Sequence, residues 1–294
     1  MIQSKSYQRY QRLLHILLTV ITLIMVLPIL LLFMASVTDE KVLIAQGYSY
    51  FPSKFGLEGY SYIMSNASTI FRSYGLTLLV TAVGTVVSLV ITMLMAFPLS
   101  IRRLPGRTFF SFFVLFTMLF SGGLVPSYIM WTGWFNIRNS VFAYLMPNLL
   151  ASAMNIILMR TYYTASIPEA LYEAAQIDGA GYLTIFTKLV VPLGKPIVVT
   201  ISLFTGLNYW NDWTNGLYYV NGARKYTIQV LLNKMIENIN ALQSGASSVG
   251  SAGNIPSISV RMAIAFIALI PILILYPFLQ KYFEKGIMLG AVKG

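Results

Sequence analysis

The chain has 294 residues, of which 57% are hydrophobic and only 10% charged. That is not the composition of a soluble domain, so the length is read as a set of membrane spans. With no cysteine it has no disulfide framework, thiol nucleophile or Cys-based metal site. The net charge of +11 is scattered between apolar stretches, with no basic helix or aromatic-studded groove, which argues against nucleic acid and for topology-setting loops.

Six apolar segments are predicted to cross a bilayer as helices: 13–36, 73–98, 108–130, 141–162, 196–209 and 259–283. The first follows Lys5, Arg9 and Arg12 and outruns the 7 to 15 residues of a signal-peptide core, so it reads as an uncleaved anchor, with Pro28 predicting a kink or break. The fifth is the weakest, because "GLNYWNDW" makes its end polar and aromatic. With both termini cytoplasmic, the inner segments hold twelve of the twenty basic residues, so residues 1–12, the loop 163–195 and the tail 284–294 fall inside. Residues 37–72 and 212–258 then form long outer loops, the second ending in "SGASSVGSAGNIP", a flexible linker by composition.

The inner loop is the unusual part. "SIPEALYEAAQ" has capping-box spacing, with Ser166 predicted to start a helix and Glu169 to reach back to it. Glu169 and Glu173 share a face at i and i+4, Ala174 and Ala175 continue the helix, and Asp178–Gly179 end it. A second, amphipathic helix from about Ala180 to Val191 leads to Pro192. One account is a solvated helix-turn-helix whose acids keep it wet. The other is a docking element, since Ala174, Ala175, Gly179 and Ala180 offer a small surface that another protein can approach closely.

"EAAQIDGAGYLTIFTKLVVP" resembles the EAA motif of ABC importer permeases, matched here by Glu173, Ala174, Ala175, Gly179, Leu189, Val191 and Pro192. "IRRLPGRTFF" is similar to that family's loop between spans two and three, "NYWNDW" to its stretch after span five, and "LQKYFEKGIMLGAVKG" to the carboxyl end of the carbohydrate-uptake, maltose-permease-like branch. "SVTDEKVLIAQGYSYFPSKFGLEGYSYIM" resembles that branch's first outer loop, and "LFSGGLVPSYI" resembles permeases for complex oligosaccharides.

The resemblance implies an all-α polytopic protein with the six-helix type I importer permease fold in the cytoplasmic membrane of a prokaryote, both termini cytoplasmic and the transmembrane domain spanning 13–283. It implies no catalysis and no cofactor on this chain, with ATP and Mg bound by partner subunits. The partners implied are a second, homologous permease, two ATPase subunits, an extracytoplasmic solute-binding protein and a carbohydrate. Consistently, the sequence has no GxxxxGK phosphate loop, because "PLGKP" lacks the upstream glycine and the following Ser or Thr. ATPase coupling would fall to Glu169, Glu173, Ala174, Ala175, Asp178, Gly179 and Pro192.

Candidates for the sugar path are Tyr209, Trp210, Asn211, Asp212 and Trp213, with Asn148 and Asn155 in span four. An interfacial aromatic belt, a contact with the binding protein and interhelical amide glue are the competing roles. A six-span enzyme on lipid-linked sugars would need converging acids or metal ligands, whereas one histidine and nine acids are spread over the loops. A secondary transporter or channel usually carries repeats and intramembrane ionisable residues, and apart from His15 near a span end neither is evident.

Overall fold

The computed structural model describes residues 5–65, 67–243 and 258–291, with side chains described over 9–65, 67–237 and 258–274. Among the described residues all regular structure is helical, apart from one isolated antiparallel bridge between Thr38 and Phe55. The helices are α1 Lys5–Ser36, α2 Glu40–Gln46, α3 Glu58–Ser65, α4 Ala67–Ser100, α5 Arg107–Leu119, α6 Leu124–Ile129, α7 Phe142–Leu145 and α8 Ala153–Ser166. They continue as α9 Glu169–Ile177, α10 Tyr182–Ile185, α11 Val191–Leu193, α12 Lys195–Asn211, α13 Thr214–Tyr219, α14 Ile228–Gln243 and α15 Ile258–Ala291. A π-turn at Met130–Trp134 extends α6, and another at Phe186–Val190 joins α10 to α11. The predicted linker 244–256 lies outside the described residues.

The chain divides into two compact units, Met1–Ile70 with Leu232–Pro271, and Phe71–Leu231 with Ile272–Gly294. In the first, Asp39 caps α2 by accepting from Lys41 N–H at 3.0 Å and pairs with Lys54 Nζ at 2.6 Å. Next to it, Glu40 accepts from the N–H groups of Ile258 and Ser259 at 2.9 and 2.8 Å, so a carboxylate from α2 caps the start of α15. Gly59 keeps α3 close to that start, since a Cβ there would lie 2.7 Å from the Ser259 carbonyl oxygen.

The apolar runs become helices of unequal completeness. Among the described residues, α1 and α4 are long and apolar enough to cross a membrane, and two bent helix pairs reach that standard only when each is counted as one span. Pro28 sits inside α1, which stays helical on both sides of it, so of the expected kink or break the break does not occur. The predicted third span is bent by 108° between α5 and α6, where Phe120 is extended and Gly123 takes φ +84.

The predicted fourth span is also broken: residues 146–152 are unwound between α7 and α8, where Pro147 has no N–H to extend α7 and Asn148 sits at φ +62. Backbone freed in an apolar setting must find partners within the protein. Here Tyr209 Oη donates to Leu145 O at 2.9 Å, Asn215 Nδ2 to Pro147 O at 3.0 Å, and Ser88 Oγ to Leu149 O at 3.3 Å.

In the second unit these elements enclose two buried clusters along α4. One packs Ala96, Phe97, Met159, Tyr163, Val190 and Ile201, and the other packs Val80, Tyr144, Tyr209, Tyr219 and Val230. The first cluster supports the loop between α8 and α12.

Candidate functional site

That loop carries α9, a nine-residue helix with no buried side chain. Its start differs from the expected capping box. Ser166 is the last residue of α8, the capping position is Pro168, and no side chain caps α9. The cause is Ile167, which is extended and buried in the core cluster and so sets the turn between the helices. Glu169 is thereby released from capping and turns to Arg103.

The end of α9 follows the expectation closely. Gly179 takes φ +77, its N–H donates to Gln176 O at 3.0 Å, and Ala180 N–H donates to Ala175 O at 2.9 Å. This pair of bonds is a Schellman motif, which requires a left-handed residue at that position. The second helix starts at Tyr182 rather than Ala180 and is continuous through its π-turn to Leu193, with Pro192 at the start of α11. An 80° bend at Gly194 then leads into α12. A Cβ at Gly194 would lie 2.6 Å from the Tyr163 ring, so α8 leaves room there only for glycine.

What α9 presents is apolar and acidic. Ile177 is 86% exposed, Leu171, Tyr182 and Leu183 are also exposed, and Ala174, Asp178, Gly179 and Pro192 lie at the surface. Tyr172, Ala175 and Ala180 lean instead on the core cluster. Glu173 Oε1 accepts from Arg103 Nη2 at 2.6 Å, and Glu169 Oε1 lies 3.5 Å from Arg103 Nε. Between α9 and the 101–105 loop runs a groove of ≈ 800 Å³, lined by Phe97, Ile101, Pro105, Ile167, Tyr172 and Phe186 among others.

The other predicted site residues fall in two places. Asn155 is buried and donates to Thr205 Oγ1 at 3.2 Å, tying α8 to α12. Asn148 is exposed on the unwound segment. Tyr209 and Trp210 are core residues: a Cβ on Gly84 would touch the Tyr209 ring, and the Trp210 ring lies tilted against Tyr74 with centroids 6.5 Å apart. Asn211 accepts from Gln229 at 3.4 Å, and Trp213 is partly exposed. Asp212 Oδ1 accepts from Asn215 N–H at 3.1 Å while its Oδ2 is buried without a partner.

Burial pushes the Asp212 carboxyl above its ordinary pKa. The folded chain therefore binds more protons here than the unfolded chain, so stability rises as pH falls through the raised value and levels off below the ordinary one. Asp212→Asn keeps the Oδ1 acceptor and removes the charge. It is expected to stabilise the protein at neutral pH and to do so much less in mild acid. Thermal melting of the two purified proteins at both pH values checks this, and a lower melting point for Asp212→Asn at neutral pH would contradict it.

Four residues that matter to the geometry carry no local signal in the sequence. Arg103 lies in the loop "IRRLPG", Tyr144 lies in the apolar run 141–162, and Arg72 and Arg224 are isolated basic residues. These last two line a shallow cleft of ≈ 490 Å³ with Lys225, Asn139 and Ser140, and no acidic side chain lines it. Lys225 Nζ donates to Asn139 O at 2.6 Å. Among the described residues no three His, Cys, Asp or Glu gather as metal ligands would.

Comparison with known proteins places this geometry in context. The family model described as "binding-protein-dependent transport system inner membrane component" matches residues 77–289. A polygalacturonan/rhamnogalacturonan transport system permease protein of Bacillus subtilis is 38% identical over 267 residues, covering 91% of this chain and 92% of the relative. An arabinooligosaccharides transport system permease protein of Halalkalibacterium halodurans is 27% identical, covering 91% of each chain. A crystal structure of a bacterial ABC transporter involved in the import of the acidic polysaccharide alginate aligns with a TM-score of 0.78 at 30% identity, over 96% of this chain and 99% of that one.

Proposed function

We propose a function from this premise: the chain belongs to the binding-protein-dependent transport system inner membrane component family. It is a permease subunit of an ABC importer for oligosaccharides, a non-catalytic membrane component. In our proposal it crosses the membrane six times with both termini cytoplasmic, α1, α4, α12 and α15 giving one span each and the α5–α6 and α7–α8 pairs the other two. The positive-inside count supports that orientation. The sharp bend between α11 and α12 supports a loop lying along the membrane surface beneath span five.

In this arrangement α9 docks on an ATPase subunit, and a second, homologous permease, two ATPase subunits and an extracytoplasmic binding protein complete the complex. The observation that carries the docking role is α9 itself: an exposed helix showing Leu171, Ile177 and two acids, held against the core by a glycine-closed turn. ATP and Mg act on the partner. This chain's residues receive the motion and pass it through Gly179, Pro192 and Gly194 into α12. Only contacts that differ between the two states can shift the transporter between them.

The substrate class we propose is an oligosaccharide bearing carboxylates. Two of the similar proteins are named for polygalacturonan/rhamnogalacturonan and for acidic alginate. Arg72 and Arg224, on the outer side in the proposed topology, line a cleft without acids, and a guanidinium fork suits a carboxylate. The 209–213 stretch then serves mainly to brace the outer end of α12, leaving Trp213 there and Asn148 on the unwound segment as exposed candidates for sugar contact.

Copurification of the chain with its neighbouring gene products, followed by ATPase assays in liposomes with binding protein and defined glycans, tests both levels. Stimulation by galacturonate oligomers well above neutral arabino-oligomers is expected. If no ATPase copurifies, the importer assignment fails. Equal stimulation by neutral glycans would overturn only the acidic class.

A further inference from the structure

The permease reading leaves one part of the site unused. The loop between α4 and α5, "IRRLPG", reaches across the groove and places a single guanidinium on both acids of the docking helix.

Because α9 buries no side chain, its bearing on the rest of its unit depends on a few attachments. Ile167 anchors its start to the end of α8. At its other end, the Schellman turn and the leaning of Ala175 and Ala180 on the core lead toward α10–α12. Tyr172 packs on the core cluster, and Arg103 is the ionic attachment on the flank of α9, leading to α4 and α5.

The loop that carries Arg103 is stiff. Ile101 N–H donates to Pro98 O at 3.1 Å, Leu104 N–H to Ile101 O at 3.3 Å, and Arg107 N–H to Leu104 O at 3.3 Å. Arg107 Nε donates across the loop to Leu99 O at 2.8 Å, and Gly106 takes φ +72. A displacement of Arg103 has little slack to be absorbed in, so it passes to the end of α4 and the start of α5.

The chemistry suits a conditional link. Glu169 and Glu173 stand at i and i+4, where two carboxylates repel each other unless a cation lies between them. A guanidinium can do this along a full turn because its donors are spread over a planar fork, which a lysine lacks. Exposed as they are, with Arg103 at 74%, the charges hold each other weakly in water. When a partner covers α9 the water leaves and the same attraction strengthens.

We propose that Arg103 is a second coupling residue, which carries the displacement of the docked α9 through Glu169 and Glu173 into α4 and α5. The proposal rests on the importer-permease reading. It divides the motion between two routes, one through Gly194 into α12 and one through Arg103 into the α4–α5 pair.

The test uses the full complex reconstituted in liposomes with its binding protein, comparing the unaltered chain with Arg103→Gln and Arg103→Lys. Arg103→Gln is expected to assemble with the ATPase and melt as the unaltered chain does, while the sugar moved per ATP hydrolysed falls about fivefold or more. Arg103→Lys, which keeps the charge but not the fork, is expected to recover part of that loss. An unchanged ratio of sugar to ATP in Arg103→Gln overturns the proposal. So does failure of Arg103→Gln to bind the ATPase, which would make Arg103 a docking residue. If the unaltered chain itself binds no ATPase, the permease reading fails first and the proposal falls with it.

Discussion

Gly179→Val is expected to leave a folded, membrane-inserted protein that moves about tenfold less sugar per ATP hydrolysed. Nothing lies within 4 Å of a Cβ built on Gly179, so the substitution meets no steric wall. Its cost is in the backbone, where φ +77 is left-handed and costs an ordinary L-residue roughly 1–2 kcal/mol, and a β-branched one the most. Relief of that strain means losing the two bonds that close α9, from Gly179 N–H to Gln176 O and from Ala180 N–H to Ala175 O. The helix then frays at the turn into α10, the turn proposed to pass motion on. A graded series follows, with Asn the mildest replacement, Ala intermediate and Val the most severe, because Asn tolerates the left-handed region. Paired assays of transport and ATP hydrolysis in vesicles measure the ratio, and normal uptake by Gly179→Val would remove this turn from the coupling route.

Gly84→Val is expected to fail earlier, at folding. A Cβ at Gly84 would lie 2.6 Å from Tyr209 Cε1 and Cζ and 2.8 Å from Cε2. The ring cannot step aside cheaply, because Tyr209 is 2% exposed and its hydroxyl is bound to Leu145 O. Overpacking a close helix contact costs typically about 1–3 kcal/mol, and here the displaced ring also releases the Leu145 carbonyl at the end of α7. The yield of monodisperse protein after detergent extraction should fall severely. Tyr209→Phe, which deletes only the hydrogen bond, should cost about 1 kcal/mol. Gly84→Ala combined with Tyr209→Ala should recover part of the yield lost by Gly84→Ala alone. A Gly84→Val protein that purifies and melts like the unaltered chain would contradict the close-contact account.

The difference between these two glycines explains what could be read without coordinates. Gly179 follows a short helix with good propensity and a local acid, and its left-handed role is a matter of neighbouring residues only. Gly84 sits unmarked in a run of valines, and its necessity comes from Tyr209, 125 positions away. The capping box failed for a related reason. Ser166 and Glu169 had the right spacing, but burial of Ile167 set the turn and Arg103 drew Glu169 away. Likewise the run 141–162 has the apolar content of a span, and its break at 146–152 is possible only because Tyr209, Asn215 and Ser88 serve the freed carbonyls.

The aromatic cluster was legible as a cluster and not as a core. Tyr and Trp at the end of a span serve equally well as interfacial belt, sugar platform or buried packing, and composition does not separate these roles. Sequence by itself determined that the chain is a helical membrane protein with an EAA loop whose first helix ends at Gly179, because hydropathy and turn chemistry act over a few residues. Only the tertiary structure decided which apolar runs are unbroken helices, that Tyr209 and Trp210 are buried, and that Arg103 holds both acids of α9. Those outcomes depend on contacts between residues far apart in the chain, whose energies no local pattern records.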